Sequence, residues 1–366
     1  MTGLPKWTLA APLFGGTVIA VSLAGVLQMA GPVLGPAVIT AISAAGLIAS
    51  VLAAVHHAEV IAHRIGEPFG TLVLALAVTI IEVALIVSLM IAAGPDGKEL
   101  ARDTVFAAVM LILNGVVGLC LVAGAVRHHE QSFVQYGVSA SLTVLAALAT
   151  LTLVLPNYTT SLPGPQYTSG QLAFVAALSL FLYGTFMLVQ TVRHRDYFLP
   201  PDRLEDETAH APPPSVRTTW ISSAFLLISL VVVVFLAKAL APAIEAGVMS
   251  AGAPKAVVGI LISGLVLLPE SIAAIRAARA NRLQTSLNLA LGSALATIGL
   301  TIPAVAILSL VTGLTLSLGL DAKSITLLAL TLLVSTISLG NGRTTVLQGA
   351  VHLTILAAYI FTTVIP

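Results

Sequence analysis

The chain has 366 residues, 58% of them hydrophobic and 8% charged, with a formal net charge of +1. A water-soluble globule of that length would lack the polar surface it needs, and a near-neutral chain offers nucleic acid no electrostatic footprint. The composition is that of an integral membrane protein.

About 20 helical residues cross the roughly 30 Å hydrocarbon core, whereas barrel strands are half that length and alternate in polarity. The apolar runs here have the longer form, so the spans are predicted to be helices. Between clusters of Pro, Gly and charge, eleven are expected, over 8–28, 33–55, 69–93, 104–126, 133–155, 171–192, 220–240, 256–275, 286–310, 324–339 and 345–365. The first run is too long for a signal-peptide core and precedes no obvious small-residue cleavage site, so it reads as a mature helix. The single cysteine, Cys120, lies inside the fourth span, which excludes an intrachain disulfide and a Cys-based metal centre.

A polar, proline-rich and locally acidic segment, RHRDYFLPPDRLEDETAHAPPP (193–214), divides six spans from five. Such composition cannot bury a core and reads as a cytoplasmic linker, with Glu205, Asp206 and Glu207 as groups that could attract cations. The expected organisation is a leading helix (1–32), a first five-helix set (33–193), the linker (194–217) and a second five-helix set (218–366). Most basic residues fall on the side of the N-terminus, among them Lys6, Arg64, Arg127, Arg193, Arg276, Arg279 and Arg343. The positive-inside tendency then puts the N-terminus in the cytoplasm and the C-terminus outside, in a bacterial plasma membrane.

The acidic residues sort the chain further. All but two fall in loops or at helix ends on this map; the exceptions, Glu82 and Glu270, sit midway along apolar spans. A charge there is costly, so by default it marks an ion or proton pathway, the bland alternative being a protonated carboxyl bonded to a neighbouring helix. Glu82 stands in the third span and Glu270 in the eighth. In both halves the acid is followed by a polar loop and a helix rich in small residues. An offset of five spans makes the two helices run in opposite directions, which is an inverted repeat of the kind whose midplane interface holds ion sites in secondary transporters.

The motif LPES (268–271), followed by NLALGSALATIGLTIPA (288–304), resembles the second repeat of the calcium/cation antiporter superfamily. GEPFGTLVLALAVTIIEVALIVSLM (66–90) is similar to the first repeat of its ChaA-type calcium or sodium/proton antiporters. The resemblance covers essentially the whole chain. It implies an all-α membrane protein with a leading helix and two inverted five-helix repeats, sodium/calcium exchanger-like, without a cofactor, exchanging cytoplasmic calcium, or else sodium or potassium, for external protons. It places the central carboxylates on Glu82 and Glu270, as the metal ligands, and a Gly-Ser pair on Gly292 and Ser293. Asn114 and Thr297 fall on the helices that follow each acid. Many calcium exchangers carry Gly-Asn just ahead of the glutamate, whereas this chain reads Val78-Thr79 and Val266-Leu267.

The residues themselves support exchange. Calcium takes six to eight oxygens and sodium a similar, less charged set. Two carboxylates with Thr79, Asn114, Ser293, Thr297 and carbonyls freed near Pro269 could furnish one, with Pro269 expected to break or kink the eighth helix. Burial favours the neutral carboxyl, and two sharing a site oppose each other's ionisation, so protons compete with the cation. HHAEVIAHRIGE (56–67) puts His57 and His63 near Glu59 at helical spacings and reads either as a metal- or pH-sensing cluster or as a solvated helix end. His352, in the last span, reads as a histidine bonded to a neighbouring helix or as a proton relay. A cation channel, a sodium-coupled exchanger and an intramembrane enzyme are the alternatives. The enzyme lacks an HExxH motif or a paired Ser/His or Asp dyad. The partners expected are inorganic cations, protons and the bilayer; nothing in the sequence fixes an oligomeric state.

Overall fold

The computed structural model describes residues 4–23, 35–66, 69–199 and 213–365. The acidic part of the linker, Glu205 to Glu207, lies outside them. The described residues form eleven helices in chain order. These are α1 (Lys6–Leu23), α2 (Pro36–Ile65), α3 (Phe69–Ala93), α4 (Leu100–His128), α5 (Gln135–Tyr158) and α6 (Ser169–Arg193). After the linker come α7 (Val216–Ser250), α8 (Ala256–Arg279), α9 (Leu283–Thr312), α10 (Ala322–Ser338) and α11 (Val346–Val364). They correspond one for one to the expected spans. Eight are long and apolar enough to cross a membrane, and α3 and α10 supply shorter apolar stretches.

Local chemistry sets the ends. Thr168 and Gln171 form a capping box at the start of α6, and Thr345 and Gln348 form another at α11. Ser215 accepts from the Thr218 amide at α7, and Asp321 from the Ser324 amide at α10. Gly313 closes α9 in the left-handed conformation (φ 73°), which a residue with a Cβ adopts at a cost.

The chain divides into two compact units, each drawing on both halves of the sequence. One comprises Met1–Ala93 and Ala211–Lys255, with α1, α2, α3 and α7. Its centre is the packing of α2 on α7, flanked by α1 and α3. Read five spans apart, α2 and α7 are counterparts, and here they lie side by side. Large apolar residues on the outer faces, such as Leu13, Phe14, Leu227, Val231 and Phe235, are exposed, as lipid contact requires, and Trp7 and Trp220 are exposed near the helix ends.

The other unit comprises Gly94–His210 and Ala256–Pro366. In it α4 is the most enclosed helix and α9 the next, which is why both read as apolar on every side. Close approaches need glycine at several crossings. A Cβ at Gly349 of α11 would lie 2.7–2.9 Å from Val122 and the Gly118 carbonyl of α4, and one at Gly259 of α8 would lie 3.0 Å from the Asp103 backbone. A two-residue antiparallel ladder, Gln131–Ser132 against Arg343–Thr344, ties the α4–α5 turn to the α10–α11 turn. At the opposite end, Ser317 N donates to the Lys98 carbonyl and Leu320 N to that of Leu153. Arg102 sits among Asp103 (2.8 Å), Glu99 (3.3 Å) and the Gly319 carbonyl. Each of these links joins helix ends that an alternating path through a membrane puts on the same side.

Candidate functional site

In the first unit the residues expected at a site, Thr79 and Glu82, sit on α3. Leu76, Ile80 and Ile91 form its exposed stripe, so the opposite face turns inward with Val78, Ile81, Leu85 and Ile86. Glu82 lies on that inner face, 3% exposed, and Thr79, three residues earlier on the same side, is 5% exposed. A carboxylate is thereby held among apolar side chains with a hydroxyl one turn away.

In the second unit Glu270 occupies the middle of α8 and is half-buried. The break expected at Pro269 is not there: α8 runs uninterrupted from Ala256 to Arg279. Proline removes one donor, to the Leu265 carbonyl four residues back, and the flanking turns hold the helix. The Ser271 hydroxyl, next to Glu270, bonds the Leu267 carbonyl at 2.6 Å. Gly292 likewise lies inside a regular stretch of α9, and a Cβ there would meet nothing within 4 Å, so it marks open space and no break. Ser293 beside it is half-buried and Thr297, one turn on, is buried.

The irregular backbone lies elsewhere. Wide π turns lie near the C-terminal ends of α5 (Thr150–Val154) and α6 (Val189–Arg193) and, mid-helix, in α4 (Leu111–Val116) and α9 (Thr297–Thr301). Pro303 explains the one in α9, because it has no N–H for the Gly299 carbonyl. The two mid-helix turns loosen the regular ladder and expose carbonyl oxygen in the most enclosed helices of the unit, a placement frequent at functional sites. Asn114 is in one of them and Thr297 begins the other.

Asn114 is fully buried, and its amide bonds run to α10 and α11. Its Nδ2 donates to Thr331 Oγ1 at 2.9 Å, and its Oδ1 faces His352 Nδ1 at 3.3 Å. With the amide so oriented, the imidazole donates from Nδ1, and Nε2 accepts from Ser338 Oγ at 2.8 Å. His352 is therefore the inter-helix histidine, and Thr331 and Ser338 are polar partners that the sequence did not single out. Their signal was faint: Thr331, Ser335 and Ser338 recur at helical spacing on α10 and all are buried, but Ser324, Thr326 and Thr336 on the same helix are polar too.

The cluster of His57, Glu59 and His63 does not form. His57 is fully buried with Nε2 3.1 Å from the Thr8 carbonyl, whereas Glu59 and His63 are exposed. Positions two and six apart point to different sides of a helix; the neighbour that Glu59 meets, at 3.9 Å, is His56, three residues back. Among the described residues no group of three His, Cys, Asp or Glu could hold a metal.

Comparison with known proteins matches the family described as sodium/calcium exchanger protein to residues 35–192 and 221–365. A candidate ionic transporter, y4hA, of Sinorhizobium fredii is 50% identical over 99% of this chain and 97% of its own. The sodium-potassium/proton antiporter ChaA of Escherichia coli is 37% identical over 87% of this chain and 86% of its own. Among solved structures, native YfkE superposes with a TM-score of 0.71 at 17% identity, over 97% of this chain and 99% of that one.

Proposed function

Because the chain belongs to the sodium/calcium exchanger protein family, whose members are membrane transporters and not enzymes, we propose that it is a cation/proton antiporter in which Glu82 and Glu270 are the carboxylates that cation and protons share. The observation that carries this reading is the double occurrence, five spans apart, of a mid-span glutamate followed by a helix with a π turn. When protons occupy the carboxyls the carrier is neutral there; when they leave, the site takes a cation, and alternating exposure of the two states is exchange.

The transported ion is sodium or potassium ahead of calcium. Calcium needs six to eight oxygens. Asn114, counted toward that set in the sequence, has its amide bonded to Thr331 and His352, and Val78, Val266 and Leu267 offer no side-chain oxygen. The relative at 37% identity is named for sodium and potassium. The protein sits in a bacterial plasma membrane with its N-terminus in the cytoplasm and moves the cation outward. Purified protein in liposomes of fixed pH, given sodium, potassium or calcium on one side, tests the ion. Saturable proton movement with the monovalent ions supports this choice, and movement with calcium alone overturns it.

A further inference from the structure

Of the two mid-helix π turns, the one in α9 has its cause in its own helix, through Pro303. The other, Leu111–Val116, lies in a helix without proline, so what holds it comes from outside α4. Val117 N, whose partner in an α ladder would be the Leu113 carbonyl, reaches back five residues to Ile112 instead. Leu113 is 0% exposed, and a carbonyl given up by its amide in such a place needs another donor.

The imidazole of His352, on α11, is that donor. With Nε2 accepting from Ser338, the ring proton is on Nδ1, and the ring hydrogen-bonds both the Asn114 amide oxygen, at 3.3 Å, and the Leu113 carbonyl. The two acceptors are consecutive residues of the π turn. Glycine lets α11 come this close: a Cβ on Gly118 would lie 3.1 Å from His352 Cβ. Thr331 of α10 holds the other end of the Asn114 amide. Two helices thus clasp the turn from one side.

The turn also packs on α8 and α9, the helices of Glu270 and Thr297. Contacts along α4 and α8 set their relative level. A Cβ on Gly259 would lie against the Asp103 backbone and one on Gly264 would lie 4.0 Å from Leu111, while the Arg279 carbonyl meets His128. Glu270, between Gly264 and Arg279, falls level with the end of the turn.

We infer that His352 is a positioning residue for the transported cation: held in one tautomer by Ser338, it fixes the π turn of α4 and with it the backbone that α4 presents at the level of Glu270. The inference rests on the antiport reading above, in which Glu270 shares the cation. The ring acts as a neutral donor and gives up no proton.

The test is tracer uptake of sodium, potassium and calcium by the full chain in liposomes at fixed pH. His352→Leu removes the donor, and His352→Asn keeps an N–H where Nδ1 stands. In His352→Leu the cation concentration for half-maximal exchange should rise about tenfold, the factor by which losing one such hydrogen bond shifts an equilibrium. His352→Asn should keep the wild-type value, and amide hydrogen exchange over 113–118 should quicken in His352→Leu alone. A histidine that only stabilises the fold gives another pattern, less folded protein and a lower maximal rate at unchanged half-saturation. That pattern, or an equal rise in both variants, overturns the inference. If His352→Leu does not fold, Ser338→Ala takes its place, since it keeps the ring and frees its tautomer. Raised half-saturation there, restored in Ser338→Thr, supports the inference, and an unchanged value overturns it. If the wild type moves no protons, the antiport reading fails by itself. Protection against thermal unfolding by each cation, which needs no proton coupling, then gives the half-saturation of the same variants, and a wild type protected by none of the three ions overturns both readings.

Discussion

Glu82 is 3% exposed, and burying a carboxyl costs desolvation that an apolar side chain would avoid; on the proposed reading that cost is met because the site needs its charge. Glu82→Gln and Glu270→Gln keep shape and polarity and remove only the ability to exchange a proton for a cation. Each should reduce exchange to background in liposomes while the protein still inserts and elutes as a folded species. Asn114 makes a different prediction. Its replacement by Ala leaves Thr331 and His352 without their buried partner, a loss of about 1–3 kcal/mol. The apparent melting temperature in detergent should fall; a cation affinity that falls with no loss of stability would instead make Asn114 a ligand. The two mid-span acids were legible in the sequence because nothing else in an apolar helix competes with them for attention. The fate of the histidines was not: His57, His63 and His352 differ in which way a helix face turns, and that is decided by partners on α1, α4, α7 and α10.

At the level of the element, the eleven helices were readable from length and apolar continuity; starts capped by Thr168 and Asp321 moved by two residues, whereas α2 and α7 each run ten residues past the expected end, to Ile65 and Ser250, because the helix continues through polar residues beyond the apolar run. The backbone irregularity was misplaced. Proline at 269 looks like a break, yet one lost donor does not open a helix whose adjoining turns are intact. In α9 the bend of the ladder begins at Thr297, before Pro303 is reached. Pro303→Ala restores an N–H for Gly299 and should let this π turn relax toward α. We expect slower amide hydrogen exchange over 297–301, a gain of up to about 1 kcal/mol in stability and a lower transport rate, because the freed carbonyl oxygen is lost. At the α4–α11 crossing, Gly349→Val should cost about 1–3 kcal/mol by overpacking, seen as a lower melting temperature. That glycine carries no sign of its role in sequence, where small residues are common in every span.

For the whole molecule, the sequence orders the helices in two sets of five, whereas the compact units combine α1, α2 and α3 with α7, and α4 to α6 with α8 to α11. Linear patterns reveal which helices repeat; which of them pack together depends on surfaces that only the folded chain brings into register. Competition between protons and cation gives the pH dependence its sign. On the proposed two-glutamate reading the cation binds ionised carboxyls, so acidifying the side from which it loads should raise the cation concentration needed for half-maximal exchange, and alkalinising should lower it. The most direct measurement is proton efflux from liposomes with an acid interior and a pH-sensitive dye, on adding sodium, potassium or calcium outside to the wild type and to Glu82→Gln. Prompt, saturable efflux with sodium or potassium in the wild type, absent in Glu82→Gln, is the predicted result. No efflux with any of the three ions from folded protein, or efflux undiminished in Glu82→Gln, would contradict a proton-coupled exchanger working through this glutamate.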